Sequence, residues 1–224
     1  MSAAGGDVAA AREAVAALCQ AYWYPLYAFA RRQGILAADA EDLAQAFFAT
    51  LLEKDFLHDV QRERGRFRSF LLAAFRHFLS NQRDRERAWK RGGRHKRVSF
   101  DAAEAESRYQ QHGSRTLSPQ AEFEKQWALA LLQKVQTDLA KEAERTGKSE
   151  QYVRLSPLLA GSPDRESYAS AAGALGMSEA AVKVAVHRWR GRFRERLREE
   201  IAQTVAKPED IDDEIRALFE ALRH

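Results

Sequence analysis

The chain of 224 residues has one cysteine, Cys19, which excludes an internal disulfide framework and a thiolate metal cluster. Cys19 lies in an Ala-rich apolar stretch and is read as a small buried hydrophobe. Alternating β-branched runs are scarce and there are only five prolines, so the expected fold is all-α, with no convincing strand. No apolar run approaches a membrane span, and the start "MSAAGGDVAAAREAVAAL" lacks a basic block followed by an apolar one. No membrane insertion and a cytoplasmic location are the expectation. His58, His77, His95, His112, His187 and His224 lie far apart without metal-ligand spacing, and neither a Gly-rich phosphate loop nor a nucleophile motif occurs. An enzyme is therefore not expected, and no catalytic residue, metal or cofactor is assigned. Neighbouring acids such as Glu41 and Asp42 read as helix-start charges.

What the chain does have is segregated charge. Its net charge is only +4, yet residues 61–97 carry thirteen Lys or Arg against Glu63, Asp84 and Glu86. Residues 183–198 carry seven against Glu195, whereas 199–224 carry eight acids against three basic residues. Two basic blocks and an acidic tail need an account.

A first helix is expected from about Val8 to Arg32, stopped at Gly34. In "DAEDLAQAFFATLLEKDF", Asp39 is the expected cap; Leu43, Phe47 and Leu51 share one side, and Asp42, Gln45, Ala49 and Glu53 form a polar stripe. The segment "RFRSFLLAAFRHFLSNQRDRERAWKR" has the clearest amphipathic period. Phe67, Phe70, Leu71, Ala74, Phe75, Phe78 and Leu79 make the apolar stripe, and Arg76, Ser80, Arg83 and Arg87 line the opposite face. Trp89 lies in line with the apolar face and is read as core. Residues 92–118 lose that period and have the composition of a linker. Ser118 and Pro119 then open a long helix ending near Gly147. A short helical piece broken at Pro157 comes next.

Near the C-terminus, Tyr168 to Leu175 form a short helix of small residues, succeeded by Gly176, Met177 and Ser178 and then an arginine-rich helix. Small residues admit a close neighbour, glycine permits the turn and Ser178 caps the second helix, which is the grammar of a helix-turn-helix. Val182, Val186, Trp189, Phe193 and Leu197 form the expected buried stripe. Lys183, His187, Arg188, Arg190 and Arg194 are left for solvent or phosphate, an arrangement suited to the major groove. A charge run is often only a solvated face; the combination of small helix, turn and basic helix favours DNA.

Two basic, aromatic-bearing helices in separate domains, in this order, resemble the bacterial RNA polymerase sigma factors, specifically the small two-domain extracytoplasmic-function (ECF) group. "DAEDLAQAFFATLLEK" resembles that family's grip on the polymerase β′ clamp, with its D-L-x-Q-x-x-F core on Asp42, Leu43, Gln45 and Phe48. "GRFRSFLLAAFRHFLSNQRDRERAWKR" resembles the reader of the minus-10 element, and "SYASAAGALGMSEAAVKVAVHRWRGRFRERLREE" that of the minus-35 element. The resemblance covers roughly residues 20–205. It departs from the family at His77, where many members have Asn, and in the longer segment 136–166.

The resemblance implies four divisions: an N-terminal domain 1–91, a linker 92–118, a helix-turn-helix domain 119–205 and an acidic helical extension 206–224. It implies polymerase contact at Asp42, Gln45, Phe48, Ala49 and Glu53, and minus-10 contact at Arg76, His77, Ser80, Asn81, Arg83, Arg85 and Arg87. It further implies minus-35 contact at Ser178, Lys183, Val184, His187, Arg188 and Arg190. The implied partners are core polymerase, through its β′ clamp and β subunit, promoter DNA, and an anti-sigma protein or other regulator. The alternative reading is a polymerase-independent helix-turn-helix regulator whose first 90 or so residues form a sensor or dimerisation bundle.

Overall fold

The computed structural model describes residues 22–53, 66–88, 102–112, 116–161 and 164–223. At 52–53, 83–88, 102–104, 112 and 165 it describes the backbone alone. Among these residues all regular structure is helical: α1 (22–32), α2 (Ala37–Glu53), α3 (Phe67–Ala88), α4 (Ala102–His112), α5 (Pro119–Arg145), α6 (Ser149–Leu155), α7 (Arg165–Leu175), α8 (Glu179–Ala202) and α9 (Ile211–Ala221). Short 3-10 turns at Ser156–Leu158 and Pro208–Asp210 come after α6 and before α9.

Two compact units form. One takes the described residues up to Ala130 together with those from Thr204 onwards; the other is Leu131–Gln203. These limits differ from the divisions at 91, 118 and 205 expected from sequence. The break falls inside α5, and the C-terminal extension belongs to the first unit.

The first unit is built on aromatic packing. Tyr22 stacks on Trp127 with ring centroids 3.8 Å apart, and Phe75 meets the edges of Phe47 and Phe29 at 5.1 and 6.1 Å. Such edge and offset contacts add to the large area each ring removes from water. Leu71, Leu72, Phe75 and Leu79 of α3 are buried, while Phe67, Ala74 and Phe78 pack at the margin of the same core. Helix α2 begins at Ala37, so Asp39 lies in its first turn and is not its cap. An acid there still complements the helix dipole.

Part of the stretch read as a linker is a helix. Its sequence AAEAESRYQQH supplies good helix formers, and α4 carries the residues that attach it to α1. Glu106 receives two bonds from Arg31, at 2.9 and 2.8 Å, and a third from the Tyr27 hydroxyl. That donor set holds the Glu106 carboxyl down at about 2. The guanidinium of Arg108 lies 4.1 Å from the centroid of the Tyr24 ring. The linker reading missed α4 because its attachment is charged and aromatic, with Ala105 its one fully covered apolar residue among those described.

In the second unit, Leu139, Ala143, Tyr152, Leu155, Ala171, Ala172, Val182, Val186, Trp189 and Leu197 are buried. Tyr152 and Trp189 meet edge to face at 4.9 Å. The Tyr152 hydroxyl donates to the Gln136 carbonyl at 3.1 Å, and the Trp189 Nε1–H donates to Gln151 at 3.3 Å. Both polar tips therefore have partners, as buried tyrosine and tryptophan require.

Candidate nucleic-acid interfaces

Helices α7 and α8 are joined by a turn whose local chemistry is legible residue by residue. Asp164 accepts the Ser167 N–H at 2.8 Å and caps α7. The Ser167 hydroxyl, and after it the Ser167 N–H, lower the Asp164 carboxyl below its ordinary value. Gly176 ends α7 in the left-handed region, at φ 61°, where a side chain would be strained. Ser178 then accepts the Ala181 N–H at 3.2 Å and caps α8. Ala171 and Ala172 on α7 and Val182, Ala185 and Val186 on α8 are all buried, so small residues cover this stretch of both helices.

With that stripe inward, the first half of α8 turns Lys183, Val184, His187 and Arg188 outward; all four are exposed. Val184 is 52% exposed, unusual for a large aliphatic side chain. The Lys183 ammonium lies 5.5 Å from the centroid of the Tyr168 ring, a cation–π distance that joins α8 to the first turn of α7. Sequence spacing gives no hint of that pair, since Tyr168 and Lys183 sit on different helices. Ser178 is also exposed, but its hydroxyl is engaged as the cap.

Arg190 behaves differently from the reading that grouped it with the outward cations. Its guanidinium donates to the carbonyls of Leu158, Leu159 and Gly161 at 2.9, 3.1 and 2.9 Å. It therefore closes the end of the 3-10 turn next to α6. Arg192 grips Glu142 of α5 through two bonds, at 3.0 and 2.8 Å, and Arg196 reaches the same carboxylate at 3.4 Å. The Arg192 guanidinium holds the Glu142 carboxyl below its usual range. Arg194 is exposed. Phe193, expected in the buried stripe, is half-buried.

On α3 of the first unit, Arg76, His77, Ser80 and Asn81 are exposed within two turns. Arg76 donates to Gln120 at 3.0 Å and lies 5.4 Å from the centroid of the Phe29 ring, so its charge is presented from a fixed place. Arg83, Arg85 and Arg87 lie on the same helix, but their side chains fall outside the described residues, as do Trp89 and residues 92–101.

The third set lies on α2. Asp42 is exposed and Ala49 half-buried; Glu53 closes the helix with its side chain outside the described residues. Gln45 is buried and donates to Glu41 at 2.8 Å, and Phe48 is buried in the aromatic core. Of the expected grip, the exposed chemistry among described side chains is Asp42, with Ala49 beside it. Among the described residues no three His, Cys, Asp or Glu gather as a metal site, and no helix is long and apolar enough to cross a membrane.

Comparison with protein-family models, with curated proteins and with solved structures finds no match for this chain.

Proposed function

We propose that the chain is a sigma factor of the small two-domain type, which binds core RNA polymerase and directs promoter recognition, melting and initiation. The carrying observation is the capped α7–turn–α8 pair with Lys183, Val184, His187 and Arg188 exposed on one side and Val182, Ala185, Val186 and Trp189 buried on the other. That layout supports a helix-turn-helix reading, in which the second helix would enter the major groove with its N-terminal half at base edges. In this reading these four residues meet the minus-35 element, and Ser178 holds the start of the helix that carries them.

Arg76, His77, Ser80 and Asn81, in the first unit, support the other half of the reading. A strand freed by melting needs cationic and polar groups that hold its backbone and unstacked bases. Arg83, Arg85 and Arg87 extend the same helix. Core polymerase would be gripped at α2, through Asp42 and Ala49, with Gln45 and Phe48 shaping that surface from within. An anti-sigma protein or other regulator is a further partner in this reading.

The burial of Gln45 and Phe48 favours a second reading, a helix-turn-helix regulator that acts without polymerase. Transcription in vitro with purified core polymerase on randomised promoters separates the two. Core-dependent initiation from a selected set of sequences is the expected result, and DNA binding without initiation would favour the second.

A further inference from the structure

The apolar stripe of α3 has a charge at its head. Leu71, Leu72, Phe75 and Leu79 are buried, and Arg68, three and four residues before Leu71 and Leu72, falls in line with them and is 7% exposed. A cation there needs a partner. It comes from the other end of the chain. Glu214 on α9 is 3% exposed, and its Oε1 lies 2.7 Å from Arg68 Nε while its Oε2 lies 2.9 Å from Arg66 Nε. Leu218, one turn on, is buried too, so one side of α9 is covered at both positions.

A second contact reinforces the first. The Phe67 N–H, at the first residue of α3, donates to the Thr204 carbonyl at 2.8 Å. The first turn of any helix has N–H groups without intrahelical acceptors, and its dipole disfavours cations such as Arg66 and Arg68. The C-terminal segment answers both problems, supplying an acceptor through Thr204 and a negative charge through Glu214.

We propose that residues 204–222 form an intramolecular clip whose docking orders the start of α3. Its release frays that end of the helix and so changes the presentation of Arg76, His77, Ser80 and Asn81. The nature of the contact suits a releasable clip. Arg68 Nε is close to Glu214 but off the line of a hydrogen bond, and Arg68 Nη2 reaches the other oxygen only at 3.4 Å. A buried ion pair of imperfect geometry contributes little net stability, because its Coulomb attraction barely offsets the cost of taking both charges out of water. The clip stands on these contacts alone; its consequence for promoter DNA rests on the sigma-factor reading.

Amide hydrogen exchange on the full chain tests it. With Glu214→Gln, exchange in residues 67–72 and 211–221 should rise about tenfold or more, while α8 keeps its protection as an internal control. Glu214→Asp, which keeps the charge on a shorter arm, should fall between wild type and Glu214→Gln. Unchanged protection in 67–72, equal loss across all the helices, or greater loss in the Asp variant than in the Gln variant would each overturn the clip. Core-dependent initiation by the same proteins should shift at least fivefold in Glu214→Gln. If the wild type does not initiate at all, the sigma-factor reading fails while the exchange result still decides the clip; if it initiates and Glu214→Gln initiates equally, the link from clip to promoter is overturned.

Discussion

Among the described residues, α3 and α8 are the two arginine-rich helices, and they place their cations by the same rule in different measure. On α8, Arg190, Arg192 and Arg196 flank the buried stripe and are bonded to carbonyls or to Glu142, while Lys183, His187 and Arg188 lie away from it and are exposed. On α3, Arg68 sits in the stripe itself and is paired with Glu214, while Arg76 and His77 lie off it and are exposed. Position around the helix decides whether an arginine braces the fold or faces outward. Counting charges treats the two kinds alike; their stability effects should separate them.

The largest effect belongs to the stripe that sorts the α8 cations. Trp189→Ala removes a buried ring packed on Tyr152 and leaves Gln151 without its donor. It should cost about 3 to 5 kcal/mol, read by urea denaturation of the full chain. A loss near zero would mean that α8 is not sorted by its buried side at all.

Next comes the acid that neutralises the inward arginines. Glu142→Gln leaves Arg192 and Arg196 with only the more exposed Glu195 and Glu199 as counter-charges and should cost roughly 1 to 3 kcal/mol at neutral pH. Because the folded carboxyl ionises below its ordinary value of 4.5, its contribution is complete above the unfolded value and is lost as pH falls through the folded one. The variant should therefore lose less stability than wild type on acidification. Parallel acid curves for the two proteins would remove Glu142 from the account.

A smaller effect is expected from Arg190→Ala. Three carbonyls lose their donor at the end of the 3-10 turn, but Leu159 and Gly161 are not fully buried and water can replace part of the loss. About 1 to 2 kcal/mol is expected, with DNA affinity altered no more than stability requires. A DNA loss far beyond the stability loss would return Arg190 to the outward group.

These contrasts also mark where sequence reading reaches and where it stops. The helical class, the Ser118 and Ser178 caps and the glycine stops at Gly34, Gly147 and Gly176 come from local chemistry that a few adjacent residues encode. The buried members of the α8 stripe come from period alone, except that Phe193 is only half covered. What stayed hidden depends on residues distant in sequence: Arg68 with Glu214, Arg192 with Glu142, Arg31 with Glu106. A signal was present for the first of these, since an arginine three and four residues before Leu71 and Leu72 occupies a core register and demands an acid. No local signal marks Gln45 as buried, because its covering depends on how α2 packs and its bond to Glu41 satisfies the amide once there.

The smallest stability effect should come from the outward group itself, which makes it the sharpest test of the sorting. Lys183→Ala and Arg188→Ala remove exposed side chains, of which Lys183 touches the Tyr168 ring, so each should stay within about 0.5 kcal/mol of wild type. If either residue reads a base, its loss should cost about 1 to 3 kcal/mol of binding that varies with promoter sequence, whereas a phosphate contact would weaken all sequences alike and lower the salt dependence. Measuring each variant on the selected promoter and on scrambled DNA at two salt concentrations separates these outcomes. Equal stability and equal DNA binding in both variants would mean that exposure on α8 marks only a solvated face, and that the difference between its two kinds of cation carries no function.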